Sequence, residues 1–400
     1  MSSETAIGIA RELIARPTVS RDSNLELIDY VAGYLRSYGV DAVIQRDAAG
    51  RKGNLFATIG PAKKPGVVLS GHTDVVPVDD QDWTTPPFDP VVKDGRIYGR
   101  GSSDMKGFIA AVLSHVPALL RRRLESPVHL AFTYDEEAGC QGARELVKAW
   151  PADLTVKPLF CLVGEPTSMQ IVNAHKGMRL LRTTVRGRSA HSSAPQRGVS
   201  AIAIMAKLAC FLDSVGERTQ KTPVESDLRF PCQHTTVNLG VITGGTAINI
   251  VPEVAQMLWE YRHLPQEDSE AVLRAVRAYS EELERAADAG RRPQISTEEL
   301  AVIPALSAAG NAVVTRFLLG FTGSREAQQV DYGTEAGLFQ DGLGVPTVIC
   351  GPGSIMQAHR PNEYLALEQI DQALAFLDGV LGLCESGKWG PLTGALGGAT

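Results

Sequence analysis

The run VVLSGHTDVVP ends an apolar stretch with an imidazole and a carboxylate, His72 and Asp74, two residues apart. In extended chain the side chains at i and i+2 share a face, so the two can stand side by side where a buried strand stops. Four further stretches have the same character. YGRGSSDMKG sets Asp104 between glycine-rich backbone and a helical pattern, and FTYDEEAG sets Glu136 and Glu137 just past a strand pattern. LVGEPTS sets Glu165 at the end of another strand pattern, and GPGSIMQAHRPNEY sets His359 in a loop after a fourth. If those strands are parallel, their carboxyl ends are where ligands gather.

Two histidines and three carboxylates without a cysteine suit two divalent ions that share one bridging carboxylate. Zinc, cobalt and manganese all suit such donors. Ions about 3.5–4 Å apart need such a bridge. Glu136 and Glu137 are adjacent, so on regular strand they face opposite ways. One can ligate while the other serves as general base. Asp74 can accept the ring N–H of His72 and fix its tautomer.

Taken singly, these residues have plainer readings. Asp104 stands where a helix cap would stand. DEE is also a charged turn, and His359 a surface-loop histidine. GRGSSD mimics a dinucleotide fingerprint, but the third glycine position holds an acid that would face phosphate. Glu165 differs, because it follows an apolar run and precedes Pro166.

The elements that must position these residues fall into two textures. Up to about residue 177 strand and helix patterns alternate: AVIQRD, NLFATIG, GVVLSGH, PVHLAFTYD and LFCLVGEPT read as strands. ETAIGIARELIA, LELIDYVAGYLRSYG, DMKGFIAAVLSHVPALLRRR and CQGARELVKAW read as helices. This pattern predicts an α/β unit on a mixed, largely parallel sheet flanked by helices. Between 178 and 292, LRTTVRGRS, TTVNLGVITGG and AQMLWEYRHLP alternate polar and apolar residues, with two amphipathic helical patterns among them. They predict an inserted α+β domain with one antiparallel sheet and helices on one face. From 293 to 400 the α/β texture returns with VPTVICGPG and a last helix, and KWGPLTGALGGAT reads as a loose tail.

Composition excludes several classes. The 400 residues are 44% hydrophobic with net charge −6, and no basic stripe points to nucleic acid. Six scattered cysteines form neither a thiolate zinc site nor a disulfide framework. MSSETAIGIARELIARPTV has no basic-then-apolar signal pattern, and GFIAAVLSHVPALL is too short to span a bilayer. These features predict a cytoplasmic protein without a membrane partner.

SGHTDVVP, GRGSSDMKG, DEEAG, GEPT and GPGSIMQAHRPNEYL follow one another as in the M20 metallopeptidase family of amidohydrolases, which the chain resembles over nearly its whole length. The resemblance implies a zinc-exopeptidase-like catalytic domain with an inserted lid or dimerisation domain, and a homodimer. It implies that His72 and Glu165 hold one zinc, that Glu137 and His359 hold the other, that Asp104 bridges them, and that Glu136 is the base. It further implies that His191, in GRSAHSSAP, reaches the neighbouring subunit's site. Asn249 in GGTAINIVPE and Arg262 in WEYRHLP would contact substrate. The substrate implied is a small N-acyl amino acid, foremost N2-acetyl-L-ornithine, cleaved to ornithine and acetate in arginine biosynthesis. Succinyl-diaminopimelate desuccinylase or a broader N-acyl-amino-acid deacylase are the alternatives within the family. Glu335, in VDYGTEAG, is a candidate for the substrate's side-chain amine, and equally a solvated loop or helix-cap acid. A binding protein that kept this fold and lost catalysis would need a broken site, yet both glutamates and all five ligand candidates are present. Met356 departs from the polar residue expected at its position.

Overall fold

A computed structural model describes residues 2–150, 156–221, 229–287, 290–390 and 392. Contacts divide the chain into two units, Met1–Ala174 with Leu306–Gln328 and Thr334–Thr400, and His175–Ala305 with Gln329–Gly333.

The first unit is built on a mixed sheet. Its strands run in the order Ala42–Arg46, Gly53–Ile59, Val128–Thr133, Val67–His72, Phe160–Pro166, Thr347–Gly351, Val172–His175. The four strands from Val128–Thr133 to Thr347–Gly351 run parallel to their neighbours. Ala42–Arg46, Gly53–Ile59 and Val172–His175 join antiparallel. All four parallel strands are buried along their whole length, as VVLSGH, VHLAFT, FCLVGEP and TVICG require. A parallel sheet covered on both faces has no polar side, so its strands read as continuous apolar runs.

One covering helix, Gly107–Arg121, packs against Ser3–Ile14 and Leu367–Ser386. It lies so close to the sheet that a Cβ on Gly164 would come within 2.0 Å of the Phe108 ring. It begins at Gly107 rather than at Asp104, which lies in the tight turn Ser102–Lys106. A small sheet of Tyr364–Ala366, Arg96–Tyr98 and Val91–Lys93 ties the end of the His359 loop to the strand leading into that turn.

The tail departs from expectation at its start. Trp389 is buried, its indole N–H donates to Ser126 Oγ at 2.9 Å, and its ring meets Phe160 edge-on. An indole is large enough to anchor a glycine-rich segment to a core. Residues 391 and 393–400 of the expected loose tail lie outside the described residues.

The second unit carries an antiparallel sheet in the order Thr236–Gly244, Val254–His263, Gly177–Arg186, Gln294–Ile303. Its core joins Leu181, Met257 and Trp259 to Leu208 and Leu212 of Ala201–Lys221 and Leu273 of Ala271–Arg285. The strand Gln294–Ile303 extends this unit beyond the boundary at 292 expected from sequence. QISTEELAVI hides its strand character in two ways. Its register shifts between Glu299 and Ala301, and its acids pair across the sheet, Glu298 with Arg182 at 2.7 Å and Glu299 with Arg179. Among the described residues no helix is long and apolar enough to cross a membrane.

Candidate metal centre

The ends of the four parallel strands bring five of the sequence candidates together. His72 is the last residue of its strand, and Glu165 the penultimate residue of Phe160–Pro166. Val128–Thr133 runs into a turn where Asp135 takes φ 51°, followed by Glu136 and Glu137. Thr347–Gly351 runs into the loop that carries His359.

His72 Nε2 lies 2.9 Å from Asp104 Oδ1 and 3.7 Å from Glu165 Oε1. His359 Nε2 lies 3.0 Å from Glu137 Oε2 and 3.6 Å from Asp104 Oδ2. The two oxygens of Asp104 thus face different histidines, one glutamate accompanying each. Ligand atoms of His72, Asp104 and Glu137 lie within 4.8 Å of one another, as do those of His72, Glu136 and Glu165.

Charge in this cluster is unbalanced. Burial, then the charge of Asp104, raises the Glu165 pKa well above the usual carboxyl range. Burial, then repulsion from Glu137, does the same for Glu136. Burial and Asp104 raise Glu137 as well. Burial pulls His72 down, but its bonds to Asp104 and Asp74 and the charge of Glu165 outweigh that and raise it well above 6.5. His359 is raised to about 9 by its hydrogen bond to Glu137 and the charges of Glu137 and Asp104. Glu165 Oε1 is buried without a hydrogen-bond partner. A buried carboxylate oxygen left unpaired is costly, and a cation among these acids would relieve both the orphan oxygen and the mutual repulsion. Imidazole nitrogen and carboxylate oxygen without thiolate fit zinc and its harder neighbours. The nearby Cys140 is buried, and burial, then the charge of Glu136, raises its thiol pKa well above 9.0.

Asp74 sits differently from its sequence reading. The Nδ1–H of His72 donates to the backbone carbonyl of Asp74 at 2.9 Å, and the nearer carboxylate oxygen is 3.6 Å away. The carboxylate instead accepts the N–H of Glu136 at 3.0 Å, the N–H of Glu137 at 3.3 Å and the Ser20 hydroxyl at 2.7 Å. It holds the two-glutamate turn, while the backbone oxygen orients the ring so that Nε2 faces the acids.

Glu335 does not face a substrate. It is fully buried, and it accepts the hydroxyls of Ser70 and Thr133 at 2.6 Å each. Those residues belong to the neighbouring central strands, so Glu335 cross-links the sheet, and the amine-binding expectation is withdrawn. VDYGTEAG looked like a glycine-flanked surface loop because nothing in it reveals that two hydroxyls await the acid inside.

The remaining candidates belong to the second unit. The His191 and Asn249 segments meet there: His191 bridges Ile250, and the Ser192 N–H donates to the Asn249 carbonyl at 3.1 Å. His191 and Asn249 are exposed, and the Arg262 guanidinium is engaged by Glu260 at 3.0 Å.

Sequence reading assigned no role to Glu363 or Arg100, although both lie in quoted motifs. They form a buried ion pair at 2.8 Å. The available signal was an acid directly before the short apolar run YLA and an arginine directly after RIYG.

The family model described as peptidase family M20/M25/M40 matches residues 68–382. An acetylornithine deacetylase of Pasteurella multocida (strain Pm70) is 35% identical over 381 residues, 92% of this chain and 95% of that protein. One of Proteus mirabilis (strain HI4320) is 34% identical over 378 residues, 92% of this chain and 93% of that protein. Among solved structures, the M20 family metallo-carboxypeptidase Sso-CP2 of Sulfolobus solfataricus superposes with TM-score 0.76 at 21% identity, covering 95% of this chain and 99% of that one.

Proposed function

The chain belongs to peptidase family M20/M25/M40, and from that premise we propose that it is a metal-dependent amidohydrolase that cleaves N2-acetyl-L-ornithine to ornithine and acetate. The observation that carries the chemistry is the pair of histidines facing the two oxygens of one aspartate, with an orphaned glutamate oxygen beside them. Identity to acetylornithine deacetylases over nine-tenths of the chain supports the substrate.

In this reading His72 and Glu165 would hold one divalent ion, Glu137 and His359 the other, and Asp104 would serve both. Two such ions, zinc foremost, supply positive charge that polarises an acyl carbonyl and makes a water molecule acidic near neutral pH. Glu136 takes the proton of the attacking water and passes it to the departing amine. The bond from its backbone N–H to Asp74 holds it beside the cluster. Arg262 binds the substrate carboxylate by exchanging it for Glu260, and Asn249 contributes a further polar contact. The working unit is a homodimer in which His191 serves the site of the second copy and steadies the developing oxyanion.

The test is a substrate panel on protein stripped with a chelator and reloaded with Zn2+ or Co2+. N2-acetylornithine should exceed N-acetylmethionine and N-succinyl-diaminopimelate by at least about tenfold in kcat/KM, the discrimination a polar pocket readily provides. Higher kcat/KM on the succinyl compound would overturn the substrate. Full activity in the stripped protein would overturn the metal dependence.

A further inference from the structure

Arg100 and Glu363 are each 1% exposed, and their pairing at 2.8 Å lies beside the centre without belonging to its ligands. A buried ion pair adds little net stability, because desolvation offsets the attraction, so its presence calls for another explanation. The hydrogen bonds around the pair supply one. Glu363 Oε1 accepts the backbone N–H of Ser103 at 2.8 Å and of Asp104 at 3.1 Å. Its Oε2 accepts the N–H of Gly101 at 3.0 Å as well as the Arg100 guanidinium. One carboxylate therefore gathers three N–H groups of the turn that presents Asp104. The turn needs Gly101, whose φ is 83° and where a Cβ would meet Val75 at 2.7 Å.

Arg100 reaches the other way. Its Nη1 donates to the Arg360 carbonyl at 3.2 Å, and its Nη2 to Gln81 Oε1 at 2.6 Å. The Gln81 amide N–H donates onward to the His359 carbonyl at 3.3 Å. Trp83 closes the arrangement, with the guanidinium 5.1 Å over its ring. One end of the ion pair thus grips the backbone of Asp104, and the other grips the backbone of residues 359 and 360.

We propose that the Arg100–Glu363 pair is a positioning device that sets Asp104 against His359, and so governs the affinity for the ion of the Glu137–His359 side more strongly than for that of the His72–Glu165 side, which shares Asp104 but keeps its other two ligands within strands. This rests on the metal-centre reading above. The asymmetry follows from what holds each histidine. His72 and Glu165 are fixed within strands of the sheet. His359 stands in a loop with φ 62° and a half-exposed side chain, and its location depends on the bonds that tie down its backbone.

Metal-free protein titrated with Co2+, followed by visible absorption, and with Zn2+ against a chromophoric chelator resolves the two equivalents. Glu363→Gln keeps the size and one acceptor but turns an NH2 toward the Gly101 N–H and Arg100. Gln81→Ala cuts the link from Arg100 to His359 without touching Asp104. For Glu363→Gln the affinity of one equivalent should fall about 10–100-fold, the range for groups that orient metal ligands, with the other equivalent falling clearly less. Gln81→Ala should weaken the same equivalent by less. A general packing role would lower the melting temperature without separating the two affinities. Equal weakening of both equivalents, or two unchanged affinities, in either folded variant overturns the proposal. If Glu363→Gln does not fold, Gln81→Ala alone decides it. A wild-type protein that takes up no divalent ion overturns the metal-centre reading itself. A wild type that takes up two ions beside unaltered variants overturns only the role of the pair.

Discussion

His72 and His359 face one aspartate from opposite kinds of surroundings. The His72 side chain is 1% exposed, ends a core strand and is oriented through its Nδ1–H by a backbone carbonyl 2.9 Å away. The His359 side chain is 52% exposed and sits in a loop eight residues beyond the end of Thr347–Gly351. One half of the centre is thus part of the hydrophobic core, and the other is delivered to it by loops. The difference teaches that the two halves answer to different forces: packing of the sheet for the first, a polar network for the second.

The largest expected effect belongs to neither half. Glu136→Gln should leave both metal equivalents in place and lower kcat by about 10²–10⁴-fold, the scale for losing a general base. Elemental analysis beside turnover checks this. Loss of metal would move Glu136 into the buried half as a ligand, a role its place in the His72–Glu165 cluster permits. Mixing this variant with His191→Ala, itself nearly inactive, should restore activity if His191 acts across two copies. No recovery after confirmed subunit exchange would confine His191 to its own chain or to no role.

The comparison is tested directly by truncating each histidine in metal-free protein. His72→Ala removes the buried partner of Asp104 and should cost about 3–5 kcal/mol in urea unfolding. His359→Ala removes a half-exposed partner of Glu137 and should cost under about 1 kcal/mol. Each should lose metal, but only the first should lose fold stability as well. Equal unfolding costs would erase the distinction between a core half and a loop half.

The smallest effect comes from beneath the core half. Burial raises the pKa of Glu335, more than the bonds from Ser70 and Thr133 lower it. Between the ordinary carboxyl value and this raised one, the unfolded chain has released the proton and the folded chain still holds it. Wild-type stability therefore falls as pH rises through that window. Gln at 335 has no proton to release, so the stability of Glu335→Gln relative to wild type should improve as pH rises through the same window. Urea midpoints of both proteins measured across pH provide the check. A difference that stays flat with pH would mean that Glu335 is ionised throughout.

The parallel core was legible because strands covered on both faces must be continuously apolar, as VVLSGH and FCLVGEP are. The strand Gln294–Ile303 was not, because its pairing shifts register between Glu299 and Ala301, and its acids, which read as solvated, pair with Arg182 and Arg179. The tail was misread at Trp389 because glycine content says nothing about one indole finding a pocket. For Asp74 the neighbourhood was legible but not the division of labour: its backbone carbonyl is the nearer acceptor of the His72 ring N–H, and its carboxylate chiefly holds the two-glutamate turn.

Residue type and spacing by themselves determined that acids and imidazoles stand at strand ends, and that their nitrogen and oxygen donors suit divalent ions. Those properties are local: they follow from strand periodicity, apolar runs and the chemistry of each side chain. Tertiary structure alone decided that Glu335 is locked between two strands, that the Asp74 carboxylate holds the two-glutamate turn, and that Glu363 holds Asp104 from 259 residues away. Those outcomes depend on strand order and on hydrogen bonds closing between distant segments. A buried carboxylate takes whichever donors the fold brings within about 3 Å, and nothing in its own neighbours along the chain announces them.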